Sequence, residues 1–114
     1  IKCTPVGVLR LLDRLGGYEG LVLAHLGANA MFTGVMECLA GEDVYFDTAC
    51  VLSYIEPNMF KKILERHGAE KILFATDSPW SDMSRDVDII RSFSLDKNTE
   101  DRLLYKNAKN LLGI

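Results

Sequence analysis

Three short apolar runs separated by helical stretches constrain this chain more than any other feature. They are Leu21-Val22-Leu23-Ala24, Asp43-Val44-Tyr45-Phe46 and Lys71-Ile72-Leu73-Phe74-Ala75-Thr76. The first is a short, continuous apolar run that suits a strand buried on both faces, and the other two read as the second and third strands. Between them lie helical patterns. Thr4-Pro5 gives an N-cap and a first-turn proline, followed by Val6, Leu9, Leu12 and Leu15 at helical spacing and a stop at Gly16-Gly17. A second helix is expected from about Asn29 to Leu39. A third opens at Pro57, carries Phe60, Ile63 and Leu64 on its apolar face, and closes at His67-Gly68. Two more are expected at about Arg85 to Phe93 and Asn98 to Leu112, with Asp96 or Asn98 as a cap and Leu103, Leu104, Leu111 and Leu112 as a core stripe. Strands alternating with helices through short connections indicate a parallel α/β sheet.

Each expected strand ends in a polar residue: His25, Asp47 and Asp77. In α/β folds the carboxyl ends of parallel strands form the ligand face. An imidazole and two carboxylates delivered there suit a divalent metal, and a carboxylate beside a metal-bound water can accept its proton. Pattern alone leaves other roles open. Asp77-Ser78-Pro79 is also a good turn and helix cap, Asp47-Thr48 is a second such sequence, and a lone histidine after an apolar run serves equally as a hydrogen-bonded structural residue.

The composition excludes several classes. The 114 residues carry thirteen basic and sixteen acidic side chains, a net charge of −3, with no basic run for nucleic acid or an anionic membrane surface. No apolar stretch is long enough to span a bilayer. Cys3, Cys38 and Cys50 follow no disulfide or zinc-thiolate spacing and read as small side chains in a reducing compartment, so a cytoplasmic location is expected. The chain opens on Ile1-Lys2-Cys3-Thr4-Pro5 without a leader pattern and is expected to begin inside a longer protein.

The segments Val22-Leu23-Ala24-His25-Leu26-Gly27, Asp43-Val44-Tyr45-Phe46-Asp47-Thr48 and Lys71-Ile72-Leu73-Phe74-Ala75-Thr76-Asp77-Ser78-Pro79-Trp80 resemble the last three barrel strands of amidohydrolase-related proteins. The branch they resemble includes aminocarboxymuconate-semialdehyde decarboxylase. The closing Asn107-Ala108-Lys109-Asn110-Leu111-Leu112-Gly113 is similar to that family's last helix. The resemblance implies that residues 1–114 are the C-terminal part of one (β/α)8 TIM-barrel domain, about three βα units and a terminal helix. It further implies a hydrolase or non-oxidative decarboxylase acting on a small carboxylate, amide or ester substrate, with a divalent metal, zinc by expectation. Asp77 would be a metal ligand, His25 a catalytic acid/base, and Asp47 and Trp80 supporting or substrate-lining residues. The family's His-x-His and fifth-strand histidine are absent, so the 114 residues alone are expected to be inactive.

His67 reads as structural, a partly cationic imidazole at a helix end. Asn107 is expected to bond backbone, and Arg85 and Asp86 to be solvated. Three strands cannot close a barrel, so both sheet edges are expected to stay open, and the isolated chain to aggregate or oligomerise. The partners expected are a small molecule and, as an open question, further copies of the chain. The competing readings are a non-catalytic barrel relative and a receiver-like signalling module, the latter short of two strands and an acidic pair.

Overall fold

The computed structural model describes residues 4–16, 20–27, 31–79 and 81–114. Its elements follow in the order α1 (Pro5–Leu15), β1 (Val22–Leu23), α2 (Phe32–Gly34 continuing as Val35–Leu39), β2 (Tyr45–Asp47), α3 (Pro57–His67), β3 (Ile72–Leu73), α4 (Met83–Ser92) and α5 (Lys97–Asp101, Arg102–Lys106 and Asn107–Leu112). The three strands form one parallel sheet in the order β1-β2-β3. The expected α/β alternation is therefore present, with shorter strands than the apolar runs suggest. The expected start of α2 at Asn29 lies outside the described residues, as does Trp80.

Thr4 and Asp96 cap as expected, whereas α4 starts at Met83, ahead of the expected Arg85, with Asp82 as its cap. Thr4 Oγ1 accepts from the Gly7 N–H, Asp82 from that of Ser84, and Asp96 from that of Thr99. In register, Leu23, Phe46 and Ile72 share one face of the sheet, and Phe46 and Ile72 are fully buried. The helices supply Leu12, Val35, Leu39, Phe60, Ile63, Ile90 and Leu103 to the same core. Two glycines permit its tightest approaches. A Cβ on Gly27 would stand 3.1 Å from both Leu39 and Phe46, at a φ of +82°. One on Gly34 would stand 2.9 Å from the Pro5 ring, where α1 crosses α2.

Several expectations are corrected. In α1 the buried residues are Pro5, Val8 and Leu12, whereas Val6 and Leu15 are half exposed, so the stripe is rotated from the one read off the spacing. Leu112 is 69% exposed at the end of α5. Arg85 is exposed but Asp86 is 1% exposed, its carboxylate taking the Ser81 hydroxyl at 2.6 Å.

The outer edge of β3 is not open. α5 makes a π turn in which the Asn107 N–H reaches the Arg102 carbonyl, leaving the Leu103 carbonyl without its usual helical donor. That carbonyl accepts from the Phe74 N–H at 3.0 Å, and the Asn107 side-chain amide donates to the carbonyls of Ile72, at 2.9 Å, and Ala69. Asn107 thus bonds backbone as expected, and the last helix takes the outward-facing Ile72 carbonyl and Phe74 N–H, while the Ile72 N–H donates to the Ala69 carbonyl.

His67 is structural, but it is not the cation expected at a helix end. Its ring stacks on Phe46 with centroids 4.1 Å apart. Nδ1 accepts from the Gly41 N–H at 3.0 Å and Nε2–H donates to the Val44 carbonyl at 2.7 Å, which fixes a neutral tautomer. Burial pushes its pKa below the ordinary 6.5. Folding stability from this group is therefore complete above about pH 6.5 and is lost as pH falls through the lower folded value, because the unfolded imidazole protonates first. Urea melts between pH 7.5 and 5.5 should show that loss, and the slope should flatten in His67→Gln. An unchanged slope would mean that another group titrates there.

Candidate functional site

The three strands end in the same way. His25, just beyond β1, has φ +57°; Cys50, three residues beyond β2, has φ +60°; Asp77, four residues beyond β3, has φ +59°. Left-handed backbone is costly for side chains other than Gly, Asn and Asp, and its recurrence at one end of a sheet marks a place where surrounding contacts hold the chain against its preference. Leu26 and Gly27 continue the left-handed turn after His25.

The residues that hold these turns form one stretch, 47–50, leaving the central strand. The Asp47 carboxylate accepts from the backbone N–H groups of His25, at 2.9 Å, and Ala49, at 3.1 Å. The Ala49 carbonyl accepts from the His25 ring Nδ1 at 2.6 Å. The Thr48 hydroxyl binds both the carbonyl and the N–H of Ala75, each at 3.0 Å. The Cys50 thiol donates to the Asp77 carboxylate at 3.4 Å and, more weakly, lies 3.8 Å from the Thr76 carbonyl. Four consecutive residues therefore join the end of β1 to the end of β3 and place His25 and Asp77 on two sides of the same segment.

A carbonyl can only accept, so the His25 Nδ1 carries a proton, and in the neutral tautomer the lone pair lies on Nε2. Among the described residues Nε2 has no hydrogen bond, and the ring is half-buried. Asp77 is exposed, and its one side-chain hydrogen bond among the described residues is that from Cys50. It does not cap α4, whose N-cap is Asp82. Loss of hydration raises the Cys50 pKa first, followed by Asp77 and then the fields of Asp86 and Asp47, so the thiol is held as a donor rather than a thiolate. The cis peptide Ser78–Pro79 follows Asp77.

The donors suit a divalent cation in kind, an imidazole nitrogen and a carboxylate oxygen, but not in number. Among the described residues no group of three or more His, Cys, Asp or Glu side chains could hold a metal ion. The sequence points to His25, Asp47 and Asp77 but not to Thr48 and Cys50 as their partners. Nothing in a Thr one residue past a strand, or a Cys three past it, distinguishes it from a loop residue, although the Asp47-Thr48 pair is a visible turn signal.

No helix among the described residues is long and apolar enough to cross a membrane. No curated protein matches the sequence. Solved structures match it in fold at low identity. 5-Carboxyvanillate decarboxylase from Sphingomonas paucimobilis aligns with a TM-score of 0.73 at 18% identity, over 96% of this chain and 39% of its own. A probable 2-pyrone-4,6-dicarboxylic acid hydrolase from Acinetobacter baumannii, with citric acid bound, aligns with a TM-score of 0.74 at 15% identity, over 97% of this chain and 50% of its own. Dihydroxybenzoic acid decarboxylase from Polaromonas sp. JS666, holding manganese and 2-nitroresorcinol, aligns with a TM-score of 0.70 at 19% identity, over 96% and 39%. The chain thus spans half or less of the length of these structures. The sequence profile of the Amidohydrolase family matches residues 10–114, and the chain belongs to that family.

Proposed function

We propose that the chain forms the C-terminal part of a single (β/α)8 barrel that hydrolyses or decarboxylates a small carboxylate-bearing substrate with the help of a divalent metal. The observation that carries this reading is the 47–50 segment, which ties His25 and Asp77 together at the carboxyl end of the parallel sheet. Membership of the Amidohydrolase family supports an enzyme over the receiver-like module. The structural neighbours' names and ligands, hydroxybenzoates, a carboxyvanillate and a pyrone dicarboxylate, support a carboxylate-bearing substrate.

Asp77 would supply one ligand to the metal, and the remaining ligands would come from outside these 114 residues. Sequence expectation favours zinc, whereas two of the neighbouring structures hold manganese. When bound, such a metal supplies Lewis-acid polarisation of a substrate oxygen and acidifies water. His25 takes a proton at Nε2 and returns it, with Nδ1–H anchored on the Ala49 carbonyl so that the ring keeps its direction. Asp47 holds the His25 backbone in its left-handed turn, and Trp80 would line the substrate pocket.

A complete barrel containing this chain, loaded in turn with zinc and manganese, should release CO2 from a hydroxybenzoate-type acid or open a lactone, amide or ester, and should lose that activity to a chelator. The 114 residues alone should bind neither metal and turn over neither class. Equal activity with and without metal would overturn the reading, and tight metal binding without turnover on either class would favour the non-catalytic relative.

A further inference from the structure

We infer that Thr48 is a positioning residue for Asp77, acting through the Ala75 peptide groups. The inference rests on the reading of Asp77 as a metal ligand. Thr48 is 1% exposed, and it is the last residue of the central chain to join the sheet ladder, its N–H donating to the Leu73 carbonyl at 3.0 Å. Beyond Leu73, β3 ends and the chain leaves the ladder. The peptide groups of Ala75 would then need new partners in a half-buried place. One hydroxyl supplies both, donating to the carbonyl and accepting from the N–H, each at 3.0 Å.

Asp77 stands two residues further on, in a left-handed conformation at φ +59°. Its side chain receives only the weak thiol bond from Cys50 among the described residues. The direction of its carboxylate must therefore come mainly from the backbone that leads to it, which Thr48 holds by two bonds of 3.0 Å and the Cys50 thiol only by a weak 3.8 Å contact to the Thr76 carbonyl. Threonine suits the role better than serine in stiffness, because its β-branch restricts the χ1 angle on which the double hydrogen bond depends. Packing alone would make a different prediction, since valine copies the shape of threonine and lacks only the hydroxyl.

The test is metal affinity, read by calorimetric titration of manganese into the complete metal-free barrel. Thr48→Val should weaken binding by about 10–100-fold, the usual effect of removing a group that orients a ligand. Thr48→Ser, which keeps the hydroxyl, should bind close to the parent. Thr48→Val binding like the parent would overturn the inference, and so would Thr48→Val and Thr48→Ser weakened alike, which would indicate packing. If Thr48→Val does not fold, Thr48→Cys is judged by the same criterion against Thr48→Ser, because its thiol is a poorer donor and acceptor. Asp77→Ala in the same series separates the two layers. Lost binding there with an unaffected Thr48→Val removes Thr48 alone, whereas retained binding in Asp77→Ala removes the reading of Asp77 and the inference with it.

Discussion

In a complete barrel, Asp77→Ala should release the metal and abolish turnover while the protein still folds, with affinity reduced by more than the roughly 100-fold that loss of a ligand's supporting group costs. The structure makes this variant informative because Asp77 has so little else to do. It is exposed, it caps no helix, and its thiol partner is a weak donor. Removing the carboxylate therefore leaves no strongly paired buried group behind, and Cys50 is half-buried and can turn to water. The one structural term is the left-handed backbone, which alanine tolerates less well than aspartate, at a cost of about 1 kcal/mol. Asp77→Asn removes that term, since asparagine accepts the same conformation and keeps the shape while losing the charge. Elemental analysis after dialysis, with a thermal melt of the metal-free protein, separates the outcomes. Full metal occupancy in Asp77→Ala would remove Asp77 from the metal centre. A melt collapsing in Asp77→Ala but not in Asp77→Asn would assign the residue to the turn.

The alternation of strands and helices was legible because it depends on two local signals, apolar continuity and capping chemistry. α3 shows this best: Pro57 sets its first turn, Phe60, Ile63 and Leu64 are buried, and the helix ends at His67 as the pattern implies. What the sequence did not reveal depends on partners distant along the chain. The rotation of the α1 stripe to Val8 and Leu12 follows from where α2 lies, with Gly34 against Pro5, and both stripes fit the same spacing. The π turn of α5 is invisible to a 3.6-residue period, yet it frees the Leu103 carbonyl that takes the edge of β3. A first strand closing a barrel at that edge would compete with Leu103 and Asn107 for the Phe74 N–H and the Ile72 carbonyl. A helix end favours a charged imidazole at His67, but that rule holds for exposed imidazoles. Burial against Phe46 and a donated N–H from Gly41 outweigh the helix dipole. In the candidate site the polar strand ends were legible one by one, and the bonds from 47–50 that relate them were not.

His25→Asn should lower kcat/KM of the complete enzyme by about 10²–10⁴-fold, the usual contribution of a proton-transferring side chain, with the metal retained. Asparagine is the better test than alanine for two reasons given by the geometry. His25 sits at φ +57° and ψ +41°, a region asparagine enters readily, and its amide can still donate toward the Ala49 carbonyl that holds the ring at 2.6 Å. The backbone bond from the His25 N–H to Asp47 is untouched by either substitution. What asparagine lacks is a basic nitrogen at the position of Nε2, so the loss isolates proton handling from the architecture of the turn. His25→Ala, which removes the Ala49 contact as well, should lose at least as much activity and some thermal stability. Near-normal turnover in His25→Asn would make His25 a structural residue whose ring serves only to tie β1 to the 47–50 segment. Loss of the metal in His25→Asn would make Nε2 a ligand instead, placing the imidazole beside Asp77 in the coordination shell.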